Sequence, residues 1–189
     1  MNKSLVIFLL SGILLTSCFP AKIRKSEDYY FENKPALETL LKDYEALYRK
    51  QPLAIGFSDK RFSYYTIIMY TDSVRYLFNT RMNRKLVFDE MKQSSLTVEE
   101  LTGIAQQIKE LKCLWIGKNE LYIDGRKTMA TNLSFKSQLF NRPFEENKYY
   151  ILSFLETRMS KATTTPKLRK YGYHEIGRNV YFTISNRFR

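Results

Sequence analysis

LTVEELTGIAQQIKELKCLWIGKNELYIDGR, residues 96–126, contains a helical periodicity and, directly after it, an extended one. Thr97-Val98-Glu99-Glu100 is a capping box: the Thr97 hydroxyl covers a free amide of the first turn and Glu100 reaches back to the Thr97 amide. Leu96 and Leu101 occupy the two hydrophobic staple positions. Val98, Leu101, Ile104, Ala105, Ile108 and Leu111 follow at the spacing of one buried helix face. Cys113-Leu114-Trp115-Ile116 is apolar on both alternating faces, which predicts a strand covered on both sides. Gly117-Lys118-Asn119 is expected to turn that strand into Glu120 to Ile123. Asp124-Gly125 is a two-residue hairpin signal that returns the chain through Arg126 to Ala130. A helix feeding strands joined by tight turns points to an antiparallel sheet.

The flanking segments repeat this grammar. Upstream, Pro35 suits a first helical turn, and Leu37, Leu40, Leu41, Tyr44, Leu47 and Tyr48 form one buried stripe that ends at Pro52. Leu53 to Phe57 is a short apolar run. Phe62 to Tyr70 and Val74 to Phe78 flank Thr71-Asp72-Ser73 as a hairpin, and Lys85 to Asp89 reads as a further strand. Downstream, Lys148 to Leu155 is an apolar strand, Ser160 to Pro166 a loop, and Lys167 to Tyr171 a helical turn. Tyr173 to Ile176 and Asn179 to Ser185 form a last hairpin around Gly177. Both 35–78 and 97–130 run helix then three strands, but their residues do not align well enough to claim a duplication. The expected fold class is α+β, a mainly antiparallel sheet of consecutive hairpins with two amphipathic helices packed on it. No strand–helix alternation suggests a parallel nucleotide-binding sheet.

The chain begins Met1-Asn2-Lys3-Ser4, with one positive charge and no acid, and continues into an apolar run from Leu5 to Leu15 broken only by Ser11 and Gly12. A bilayer core of ~30 Å needs about 20 apolar residues in a helix, so this run matches the apolar region of a secretory signal. It closes on Leu15-Thr16-Ser17-Cys18. That tetrad, an aliphatic residue and two small residues before a cysteine, resembles the lipobox of bacterial lipoproteins. The resemblance covers residues 1–18 alone. It implies a diacylglycerol thioether on Cys18, cleavage just before it, and acylation of the new amino group. Two or more acyl chains make a lasting anchor, at ~0.8 kcal/mol per buried CH₂. The domain organisation expected is therefore a signal peptide over 1–17, a lipidated tether over 18–34 and one α+β domain over 35–189.

The net charge of the full chain is +12; cleavage removes Lys3 and no acid, leaving +11 on a chain of 172 residues. That length supports one domain with a real core. With Cys18 acylated, Cys113 has no disulfide partner within the chain, and its apolar neighbours predict a buried structural thiol. The tether carries Lys22, Arg24 and Lys25 just beyond the lipid, where each charge is worth ~1 kcal/mol against anionic headgroups. Sixteen extended residues would reach ~50–58 Å, although Tyr29 to Phe31 are expected to pack onto the domain. Lys167, Arg169 and Lys170 are the second expected contact with an anionic surface.

The usual constellations of catalysis are missing from the residues. The single histidine, His174, cannot build a site of several imidazoles. The seven glycines never occur as Gly-x-Gly, and no Gly-x-Ser-x-Gly elbow is present. A Cys113–His174 pair is the enzyme candidate, but cell-wall peptidases of that kind set their nucleophile at a helix start, where the thiolate is favoured. The carboxylate pairs Asp89/Glu90, Glu99/Glu100 and Glu145/Glu146 are adjacent acids that point apart, and Glu99/Glu100 is explained by the cap. Lys167-Leu168-Arg169-Lys170-Tyr171-Gly172-Tyr173-His174 mixes bases with aromatics as nucleic-acid platforms do, yet export argues against a nucleic-acid partner. The expectation is a non-enzymatic, lipid-anchored envelope protein with no catalytic residue, cofactor or metal, facing the periplasm or the cell surface. Its partners would be the membrane, through Cys18, and a protein or anionic envelope component. A periplasmic inhibitor or immunity protein is the alternative, for which Phe144-Glu145-Glu146-Asn147 would supply an acidic loop; a cell-wall hydrolase is the third reading.

Overall fold

A computed structural model describes residues 18–59, 61–71, 75–81, 95–123, 125–136, 148–156 and 161–186. The expected signal segment 1–17, the expected strand Lys85 to Asp89 and the expected acidic loop 144–147 lie outside them. The elements are α1 (Cys18–Glu32), α2 (Lys34–Lys50), β1 (Leu53–Phe57), β2 (Tyr64–Tyr70), β3 (Arg75–Arg81), α3 (Val98–Glu110), β4 (Trp115–Ile123), β5 (Arg126–Lys136), β6 (Tyr149–Leu155), α4 (Lys161–Lys170), β7 (His174–Gly177) and β8 (Val180–Ser185). The fold is mixed α+β. Eight strands form one sheet in the order β3-β2-β1-β4-β5-β6-β8-β7, with every pairing antiparallel.

At the centre, β1 meets β4, with Ile55 opposite Ile116 and Gly56 opposite Trp115. From that seam the two meanders β1-β2-β3 and β4-β5-β6 run outward in opposite directions, each preceded by its helix, α2 or α3. The repeated element order that the residues do not show is thus a repeat of topology. A sheet has two faces because successive side chains alternate. One face carries Leu53, Ile55, Ile67, Ile116, Leu133, Leu152 and Phe182, packed under the buried stripes of α2 and α3. Tyr44 crosses this interface and donates its hydroxyl to the Leu53 carbonyl at 2.5 Å.

The capping box is present in full: Thr97 Oγ1 accepts from the Glu100 amide at 3.2 Å, and Glu100 Oε2 accepts from the Thr97 amide at 2.9 Å. Glu100 also pairs with Lys50 at the end of α2, tying the two helices. Thr97→Ala is expected to lower the midpoint of chemical denaturation by the equivalent of ~0.5–2 kcal/mol. An unchanged midpoint would mean that the cap carries no stability. At its other end α3 closes in a Schellman motif, with the Cys113 amide on the Ile108 carbonyl at 2.9 Å and the Lys112 amide on the Lys109 carbonyl at 2.9 Å.

Three expectations are corrected. Residues 18–34 are no extended tether, since Cys18–Glu32 is helix. Ile23, Ser26 and Tyr30 recur at helical spacing on one side, and the polar Ser26 within that stripe hides it from a hydrophobicity reading. Tyr30 lies so close to Gly177 that a β-carbon there would come within 2.9 Å of its ring. Tyr29 donates to the Leu111 carbonyl at 2.7 Å and meets Phe135 edge-on. Second, Gly117-Lys118-Asn119 is not a turn but the middle of β4, which runs unbroken from Trp115 to Ile123. Third, 161–166 is no loop, because Lys161–Lys170 is helical with Pro166 inside it.

Candidate binding site

The second face of the sheet has no counterpart of α2 and α3 among the described residues. Trp115, Gly117, Asn119, Leu121 and Ile123 point to it from β4, and cross-strand partners share a face. Asn132 therefore lies beside Gly117, Ser134 beside Trp115, Ile151 beside Ser134 and Thr183 beside Ile151. These polar positions alternate with the core residues Leu133, Leu152 and Phe182 of the same strands. They form the floor of a concavity of about 330 Å³, walled by Trp115, Tyr171 and Tyr173. The Asn132 Oδ1 and Ser153 Oγ atoms are buried with no hydrogen-bond partner.

One helix covers part of this face. Leu168 of α4 is buried against Ile123, Ala130, Leu155 and Tyr181, and Thr165 donates to Glu175 on β7 at 2.9 Å. α4 also closes in a Schellman motif: the Tyr173 amide reaches the Leu168 carbonyl at 3.0 Å and the Gly172 amide the Arg169 carbonyl at 2.9 Å. Gly172 takes φ +81°, the left-handed conformation that glycine adopts without steric cost. This cap aims the two tyrosines on either side of it. Tyr173 folds back on Leu168, and Tyr171 is thrown outward, 73% exposed.

Beyond these tyrosines lies a second concavity of about 610 Å³ between α4 and β4, lined by Tyr122, Lys167 and Lys170 among others. Tyr122 is 67% exposed. Tyr171 and Tyr173 line both hollows, so the two are halves of one site. Its bases come from Lys167-Leu168-Arg169-Lys170, placed in the last turn of α4.

The other predicted site residues lie elsewhere. Cys18 is the first residue of α1, and Lys22 lies within that helix. Arg24 and Lys25 are exposed along it. α1 packs on the face opposite α4, through Tyr29 on Phe135 and Tyr30 on Gly177. The two basic clusters are therefore separated by the sheet and form no single patch.

Cys113 and His174 are kept apart by the strand order. Cys113 leads into β4, and His174 is on β7, with β5, β6 and β8 between them. Four strand spacings of about 4.8 Å put these strands about 19 Å apart. Cys113 is buried, and its thiol donates to the Trp115 carbonyl at 3.1 Å. Burial pushes the thiol pKa up to about 12, so it is no thiolate at neutral pH. Burial, aided by Arg169, lowers that of His174. Among the described residues no three His, Cys, Asp or Glu side chains gather where they could hold a metal ion, and no helix is long and apolar enough to cross a membrane.

No family model, curated protein or solved structure matches the chain. What the site does is therefore argued from its own residues. The KLRKYGY stretch, residues 167–173, was visible in the sequence as bases interleaved with aromatics. Its counterparts Asn132, Ser134 and Thr183 were missed; the signal available was polar residues at every second position of otherwise apolar strands.

Proposed function

We propose that this chain is a lipid-anchored, non-enzymatic protein of the bacterial cell envelope, acting as a binding or assembly module. The observation that carries the binding role is the second face of the sheet, where a polar concavity adjoins a basic, aromatic cleft through Tyr171 and Tyr173. A few polar groups converging in a hollow beside apolar and aromatic side chains are the usual make-up of a ligand site. The sheet of consecutive hairpins serves as the platform, with α2 and α3 backing it and the opposite face offered to the partner.

The address rests on Leu15-Thr16-Ser17-Cys18 behind its short apolar run. With Cys18 as the first residue of a fifteen-residue helix, the lipid would lie about 22 Å along α1 from its end. The domain would then stand close to the bilayer on a stiff post, with Arg24 and Lys25 near the headgroups. Mass spectrometry of the membrane-extracted protein tests this reading. The expected N-terminal fragment starts at Cys18 and carries the added mass of diacylglycerol and a fatty acid. An unmodified Cys18 on a chain still starting at Met1 would refute the anchor.

A further inference from the structure

The composition of the two hollows narrows the chemistry of their ligand. Tyr171 leaves most of its surface wet at the rim of the cleft, and an exposed aromatic ring at a concave site offers flat apolar area to a partner. The adjoining floor is of the opposite character. Asn119, Asn132, Ser134 and Thr183 present amides and hydroxyls there, and the Asn132 side-chain oxygen still lacks a partner. The cationic side is supplied by Lys167 and Lys170. Among the described residues no carboxylate lines either hollow.

We infer that this face binds an acidic carbohydrate, a chain of sugar units bearing carboxylates. Sugar rings are amphipathic: their C–H faces stack on Tyr171, while their hydroxyls exchange hydrogen bonds with the amide and hydroxyl floor. Lys167 and Lys170 meet the carboxylates as charge-assisted partners. An apolar peptide fits less well, because covering this floor with hydrocarbon leaves its polar groups desolvated and unpaired. A flat membrane cannot enter hollows set between a helix and a sheet. The inference rests on the binding-module reading and adds the class of ligand to it.

The test is calorimetric titration of the mature, detergent-solubilised protein with an oligogalacturonate, a neutral oligosaccharide of equal length and polyglutamate. Saturable binding of the oligogalacturonate is expected, with the other two weaker by about tenfold or more. Tyr171→Phe should keep the affinity, and Tyr171→Ala should lose about tenfold, since truncating a central aromatic anchor removes the stacking surface. Lys167→Gln with Lys170→Gln should weaken binding and flatten its salt dependence. The exposure of Tyr171 lets these variants fold, which an unchanged thermal midpoint verifies. Polyglutamate binding as tightly as the oligogalacturonate would assign the site to an acidic protein and overturn the proposal. So would full affinity in Tyr171→Ala, or no oligogalacturonate binding by a correctly lipidated protein. Cleavage of the oligogalacturonate would sink the non-enzymatic reading while leaving the carbohydrate assignment standing.

Discussion

Gly56→Val is expected to cost about 3 kcal/mol or more, at the upper end of what overpacking does, and to show in urea denaturation as a midpoint moved far down. Gly56 lies at the central seam of the sheet, opposite Trp115. The Trp115 indole lies across both Gly56 and Gly117. A β-carbon on Gly56 would fall 2.1 Å from Trp115 Cε3 and 2.5 Å from the Leu114 carbonyl oxygen. The first contact is a buried ring packed with Ala54 and Ile68; the second is backbone, which cannot move without opening the β1–β4 pairing. A double-mutant cycle separates the two. In a Trp115→Ala background the ring is gone, and adding Gly56→Val should cost less than it does alone, by a coupling of about 1–3 kcal/mol. Strict additivity would place the whole penalty on the Leu114 carbonyl and remove the indole from the argument.

Lys118→Met is expected to destabilise the protein by about 1.5–3 kcal/mol at neutral pH, the scale of hydrogen bonds to charged groups. Lys118 projects from β4 to the helix side, where its side chain is only 4% exposed. Its ammonium binds Glu45 of α2 and Glu156 after β6 and lies 4.6 Å from the centre of the Tyr48 ring. Burial opposes the ammonium charge, but the two carboxylates more than offset it and raise the Lys118 pKa. Burial likewise works against the Glu45 carboxylate, and Lys118 with Arg49 reverses that, holding its pKa below the ordinary value.

The signs give the pH dependence. A depressed Glu45 contributes stability that is present above its unfolded pKa, ~4.3, and is lost as pH falls through the folded value. A raised Lys118 contributes stability that is complete below its unfolded pKa, ~10.4, and is lost as pH rises through the folded value. The gap between wild type and Lys118→Met should therefore be widest between about pH 5 and pH 10 and should shrink by pH 3. A gap of the same size at pH 3 and pH 7 would mean that Lys118 acts by packing alone. The partly exposed carboxylates regain water in the variant, which keeps the loss below that of breaking a fully buried pair.

The residues misread in the sequence share one cause. Gly117 reads locally as a turn former, but its missing side chain makes room for the Trp115 indole, whose Nε1 would sit 2.9 Å from an added β-carbon. Lys118 reads locally as a turn residue, but its charge is answered by Glu45 and Glu156, distant in sequence. Ser26 broke the stripe of α1, yet α1 is held by Tyr29 and Tyr30 against α3 and β7. In each case a residue that is polar or small for a long-range reason imitates a residue that is polar or small for a local one.

Whatever is satisfied within one or two turns of chain is legible in the residues. The capping box of α3, the buried stripes of α2 and α3 and the strand character of the apolar runs are local patterns, with their partners three to seven residues away. Only the tertiary structure decided the β1–β4 seam, the opposite faces taken by α1 and α4, and the union of Tyr171 and Tyr173 with Asn132, Ser134 and Thr183. The physical reason is that alternation tells which side of a strand a residue takes but not which strand lies beside it. A site built from every second residue of four strands and the cap of one helix comes into being only when the strand order is set.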